Sequence, residues 1–164
     1  LAWKEREDQQ EGTMQNTHPY YEKIESALTS SGFEKEAISS STFTIAFTRR
    51  GFFSNTVFLV AEVEAADFNA SSMKQLIESA RQWCAEHLSA TWFFQEAGFN
   101  LVLFHEGQIG SNHLKGQVDS TGFHAAICQS ITALDVTNGI VAQEKTWVVI
   151  GKVRMALRKL NELA

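Results

Sequence analysis

Proline is almost absent. Pro19 alone stands in 164 residues, so few positions force a helix or strand to stop. Cysteine is scarce too. Cys84 and Cys128 lie far apart within apolar patterns, which fits buried free thiols in a reducing compartment better than a disulfide framework. No apolar run approaches the ~20 residues of a membrane span, and the amino-terminal stretch lacks a signal peptide's apolar core. A cytoplasmic location away from membranes is therefore expected. Cations are outnumbered, with 14 Lys and Arg against 19 Asp and Glu, a net charge of -5. That balance argues against a general grip on nucleic acid and favours, if anything, a basic partner. Nucleotide-loop glycine patterns, a nucleophile elbow and a His-Glu-x-x-His helix are all missing. The reading is thus no catalytic residue, no cofactor and no metal.

What the chain does have is bulk for a core. Hydrophobic residues make up 44%, with twelve Phe and four Trp. The length fits one α+β domain over 14–164. Residues 1–13 are charged and precede Met14, and they read as a flexible or vector-derived extension. No repeat or linker divides the rest.

The spacing of apolar residues gives the order α-β-β-α-β-β-β-β-α. Pro19 suits the first turn of a helix that ends at Gly32, with Phe33 packing back. Residues 42–49 and 56–64 alternate as strands. Ser72 with Gln75 fits a capping box for a second helix that carries Met73, Ile77, Ala80, Trp83 and Cys84 on one face. Two strands, 91–95 and 99–105, flank Glu96-Ala97-Gly98. A glycine-rich stretch follows over 106–122. Residues 123–136 and 140–146 form a hairpin about Asn138-Gly139, a pair suited to a type I′ turn. A helix over 148–163 closes the chain. Short connections imply mainly antiparallel pairing in one sheet of about six strands, with helices largely on one face. The layout resembles secretion-chaperone-like and roadblock-like folds, without a residue motif to carry a family assignment.

Several strands are apolar on both sides. Phe58, Val60, Val102 and Phe104 oppose the principal core positions of their strands. An antiparallel sheet with one wet face should be polar there. A second copy or a partner protein is the expected cover, which makes a non-enzymatic, chaperone-like or homodimeric interaction module the first functional reading. Arg49, Arg50, Phe52 and Phe53 at a hairpin tip add cations and aromatics of the kind enriched at interfaces. The alternative is a small-ligand binder or hydrolase-type enzyme. Its pocket would lie between the sheet and the 106–122 loop, with Glu62, Glu64, His105, His113 and His124 as polar groups. Glu62 and Glu64 leave one face of their strand as a nuclease would want, but the close downstream lysine of a restriction-type site is missing.

Overall fold

The computed structural model describes residues 19–52, 54–88, 96–107, 109, 111–119, 126–147 and 149–163. The extension expected over residues 1–13 and the strand expected over 91–95 lie outside the described residues, as do Phe53 and His124. The elements run α1 (Pro19–Thr29), β1 (Glu34–Glu36), β2 (Ile45–Arg50), β3 (Ser54–Glu62), α2 (Ala70–His87), β4 (Glu96–His105), β5 (Ala126–Asp135), β6 (Ile140–Lys145) and α3 (Gly151–Asn161). Short 3-10 turns lie over Ala65–Asp67 and Ser111–His113.

The fold is α+β, and its six strands lie in sequence order across one sheet. Two expectations need correction. The sheet is mixed rather than mainly antiparallel, because β3 pairs with β4 and β4 with β5 in parallel. The helices also cover both faces. α2 crosses from β3 to β4, and the connection after β4 is long enough to return beside β5 in the same sense. Both crossovers belong on one side by the right-handed rule. Accordingly α2 shares a core with Ile109 and Leu114 of the 106–122 stretch and with Leu59, Leu101 and Ile131 of the sheet. Ile109 and Leu114, among the described residues of that stretch, thus help to cover the sheet. α1 and α3 close the opposite face, where Ile24, Leu28, Leu157 and Leu160 pack on Phe58, Val60, Val102 and Phe104.

Local chemistry accounts for most boundaries. α1 ends in a Schellman motif. Gly32 adopts φ 89, its N–H donates to the Thr29 carbonyl, and the Phe33 N–H donates to the Leu28 carbonyl. Phe33 then stands edge-on against Phe58 with ring centroids 4.9 Å apart. α2 begins before the expected capping box, because Asn69 Oδ1 accepts from the Ser71 and Ser72 N–H groups and starts the helix there. Glu96-Ala97-Gly98 lies inside β4, not at a turn between strands. The Asn138-Gly139 hairpin exists, but its loop is not a two-residue type I′ turn. Asp135 pairs with Ile140, leaving four residues between them. Asp135 Oδ1 accepts from the Thr137 and Asn138 N–H groups, and Gly139 takes φ 64. An aspartate directly before the loop supplies the acceptors for this longer turn.

A buried polar seam crosses the sheet. Ser130 Oγ donates to Asn100 Oδ1 at 2.6 Å, where a register shift interrupts the β4–β5 ladder. Gln143 Nε2 donates to Thr132 Oγ1 and to the Leu157 carbonyl, tying β6 to β5 and α3.

Candidate functional site

The ends of β3 and β4 open into a broad cleft of about 1670 Å³. In sheets with parallel strands the carboxyl ends of those strands are the usual place for a ligand. α1 supplies Tyr21, Glu22 and Glu25 to one wall, and the 37–44 connection supplies another. The exits of β3 and β4 contribute Glu62, Glu64, His105 and Glu106. The described lining holds five glutamates, and its one lysine, Lys35, is bonded to Glu25 Oε2 at 2.6 Å. Unlike Glu25, the other four carboxylates are all exposed. With Glu25 paired to Lys35, the four remaining glutamates of the lining give the cleft a negative potential.

Two aromatic groups fix its floor. Tyr21 packs against Phe104 with centroids 5.2 Å apart, and its hydroxyl donates to Thr44 Oγ1 at 3.3 Å. Burial raises the Tyr21 pKa, the hydrogen bond to Thr44 opposes that, and nearby Glu62 adds to it, so the phenol stays protonated. His105 ends β4 and is only 2% exposed. Its Nδ1 has no hydrogen-bond partner. Burial lowers its pKa, against the opposing pull of the Gly107 backbone and of Asp135, its register partner on β5. For Asp135, burial raises the pKa, but the Asn138 side chain and the Asn138 and Thr137 N–H groups outweigh it. Together with His105 they hold the carboxyl below its usual value.

The sign of the resulting pH dependence follows from linkage. Folded His105 binds its proton less readily than the unfolded chain does, so the unfolded state carries more protons below the ordinary imidazole value near 6.5. Asp135 acts in the same sense below 3.8. Stability is therefore expected to be full at neutral pH and to fall first as pH drops through the imidazole range. Urea midpoints taken from pH 7 to pH 5 check this. A His105→Gln variant should show a shallower decline, and an unchanged slope would contradict the assignment.

The sequence-derived candidates are spread across the molecule. Glu62, Glu64 and His105 meet in the cleft with Glu106, joined by Glu22 and Glu25, which no sequence pattern marked. His113 is exposed on its own short turn, with its ring edge-on to Phe68 at 6.4 Å, and is not part of the cleft lining. Arg49, Arg50 and Phe52 lie at the opposite end of the sheet. Arg49 is exposed, and Phe52 is 87% exposed. Arg50 Nη2 bonds Glu36 Oε1 at 3.1 Å, and Nη1 reaches the His87 carbonyl at 3.5 Å. Phe58, Val60, Val102 and Phe104 are buried beneath α1 and α3, so the uncovered second sheet face is not found and these side chains are core.

No group of three or more His, Cys, Asp or Glu side chains among the described residues is arranged to hold a metal ion. Asp119, a metal-capable type, instead accepts from Arg81 Nη2 at both carboxylate oxygens, 2.7 and 2.8 Å away. Burial pushes both thiols, Cys84 and Cys128, up to about 12, which removes thiolate chemistry at neutral pH. Among the described residues no helix is long and apolar enough to cross a membrane. Comparison with known proteins finds no matching family model, no matching curated protein and no matching solved structure.

Proposed function

We propose that this chain is a non-enzymatic protein-interaction module whose contact surface is the glutamate-lined cleft at the ends of β3 and β4. The partner segment it suits is rich in lysine or arginine. The observation that carries the reading is the convergence, among the described residues, of five glutamates around one cleft whose single described lysine is already paired. Size points the same way. Small-molecule pockets usually span about 300–1,000 Å³, whereas this cleft is about 1670 Å³. Complementary charge chiefly speeds encounter and fixes register, so affinity should be moderate and salt-sensitive.

Fluorescence anisotropy with an oligolysine peptide of about ten residues tests the reading, with oligoglutamate as control. Binding is expected for the basic peptide only and should weaken markedly between about 0.05 and about 0.5 M salt. A Glu62→Gln, Glu64→Gln double variant should lose about tenfold in affinity, or about 1.4 kcal/mol. Equal binding of both peptides, or binding indifferent to salt, would defeat the proposal.

A second reading, small-ligand binding, is favoured by an adjoining depression of about 430 Å³ that shares Thr42, Val63 and Glu64 with the cleft. Phe68 and Leu76 give it an apolar side, and Ser72, Gln75 and Ser79 supply polar groups. Its volume falls in the small-molecule range.

A further inference from the structure

An edge strand carries a row of free backbone N–H and C=O groups, and proteins generally blunt such edges. The two edges of this sheet differ. β1 has three residues, Glu34, Lys35 and Glu36, and is short and charged in the protective way. β6 has six, Ile140–Lys145, and no strand lies beyond it among the described residues. Its ends are exposed and its middle is only partly buried. One bond fixes where its free groups point. The Thr146 N–H donates to the Gln129 carbonyl at 2.9 Å, continuing the register in which Lys145 faces Ser130. Backbone groups alternate along an antiparallel ladder, so Glu144, Ala142 and Ile140 also turn theirs toward β5. Val141, Gln143 and Lys145 then turn their N–H and C=O groups outward.

The surroundings of that edge are basic. The chain carries a net charge of -5, yet residues 145–161 hold five of its 14 cations and no Asp or Glu. Lys159 Nζ donates to Ser30 Oγ, so that flank of α3 faces α1. Arg154 and Arg158, one turn apart, lie on the other flank. Gln143 Nε2 donates to the Leu157 carbonyl, which holds this part of α3 over β6. Both arginines and Lys145 are exposed, and the ion pairs among the described residues use other cations. Apolar groups gather here as well. Of the four large hydrophobic side chains exposed among the described residues, Ile140 opens β6, and Trp147 and Ile150 follow it.

We propose that β6 takes up an extended acidic segment of a partner protein as an added strand. Carboxylates of the segment face Arg154, Arg158 and Lys145, and its apolar side chains pack on Trp147 and Ile150. Main-chain bonds give such a contact its affinity and the alternate side chains its specificity. Nucleic acid and lipid headgroups share the negative charge but have no backbone to match the row of N–H and C=O groups. A second copy has the backbone but the wrong charge. Two β6 strands paired about a two-fold axis would bring Arg154 and Arg158 of one α3 beside those of the other. The edge shares no residue with the lining of the glutamate cleft, and neither reading rests on the other.

The probe is a blocked peptide of about eight residues in which Glu alternates with Val, long enough to span an edge strand. Hydrogen exchange reads the contact amide by amide. In the free protein the Val141, Gln143 and Lys145 amides should exchange fast, and those of Ala142 and Glu144 slowly. Saturating peptide is expected to slow the first three about tenfold or more. Methylating every backbone nitrogen of the peptide keeps its charge, removes its donors and should abolish binding. A peptide alternating Gln with Val should bind about tenfold more weakly than the Glu form. An Arg154→Gln, Arg158→Gln variant, changed only at exposed positions, should reduce that difference to about twofold. Oligoglutamate lacks apolar side chains and favours strands poorly, so it is expected not to bind. Fast exchange that the peptide leaves unchanged, slow exchange of the three amides in the free protein, equal binding of the methylated peptide, or an undiminished Glu preference in the variant would each overturn the proposal. So would protection of the same amides that grows with protein concentration alone, the mark of a second copy. Tighter binding of a single-stranded oligonucleotide of equal charge would overturn it too.

Discussion

Replacing Asp119 with alanine is expected to destabilise the fold by about 3–5 kcal/mol, the range for breaking a buried ion pair from one side. The carboxylate has two partners. It accepts from Arg81 Nη2 at 2.7 and 2.8 Å and from the Cys128 N–H at 2.7 Å. The Asp119 N–H donates in turn to the Cys128 carbonyl at 3.1 Å. Through these bonds the connection ahead of β5 is pinned both to its own strand and to α2. The two side chains are only 20% and 14% exposed, so water cannot fully replace the lost partner. Arg81 would keep a largely buried charge over the Phe99 ring, 5.8 Å from its centroid. The Cys128 N–H would lose its acceptor, a penalty of about 1–3 kcal/mol by itself. Adding Arg81→Met to the alanine variant should recover part of the loss, since it removes the stranded charge. Urea unfolding of the two single variants and the double measures both effects. A loss below about 1 kcal/mol for Asp119→Ala would show the pair to be an ordinary surface contact.

In the sequence Asp119 is one acidic residue within the glycine-rich 106–122 stretch. Its partner is 38 residues earlier on α2, and nothing in a linear pattern joins them. The same limit governs the sheet. The faces of β3 and β4 were readable from alternation, down to Val57, Leu59 and Ala61 on one side and Phe58 and Val60 on the other. Which strands pair, and in which direction, was not. Side-chain period is the same in parallel and antiparallel strands, so apolarity on both sides suggested a missing neighbour. Its physical cause is that central parallel strands are covered on both faces by their own chain. β1, made of Glu34, Lys35 and Glu36, has no apolar alternation to reveal it. The cleft was half visible. Glu62, Glu64 and His105 stood out as polar ends of apolar strands, while Glu22 and Glu25 looked like any wet helix face until α1 was laid along the end of β3.

The coverage of that second sheet face leads to the other large expected effect. Phe58→Ala should cost about 4–5 kcal/mol. Phe58 is fully buried on β3, and truncating a buried phenylalanine typically loses about 3–5 kcal/mol through lost burial and the cavity left behind. The edge-on contact with Phe33 at 4.9 Å adds about 0.5–1.5 kcal/mol that area alone omits. Phe52→Ala is the matched control. With Phe52 87% exposed, its loss should stay within about 0.5 kcal/mol. Concentration separates cover by the chain's own helices from cover by a second copy. Stability drawn from a partner rises with protein concentration by mass action, whereas stability drawn from α1 and α3 does not. Unfolding midpoints of wild type and Phe58→Ala should therefore keep the same separation at about 1 µM and about 100 µM protein. A separation that widens or narrows over that range, or a loss under about 2 kcal/mol, would mean that Phe58 does not stand in a core closed by its own chain.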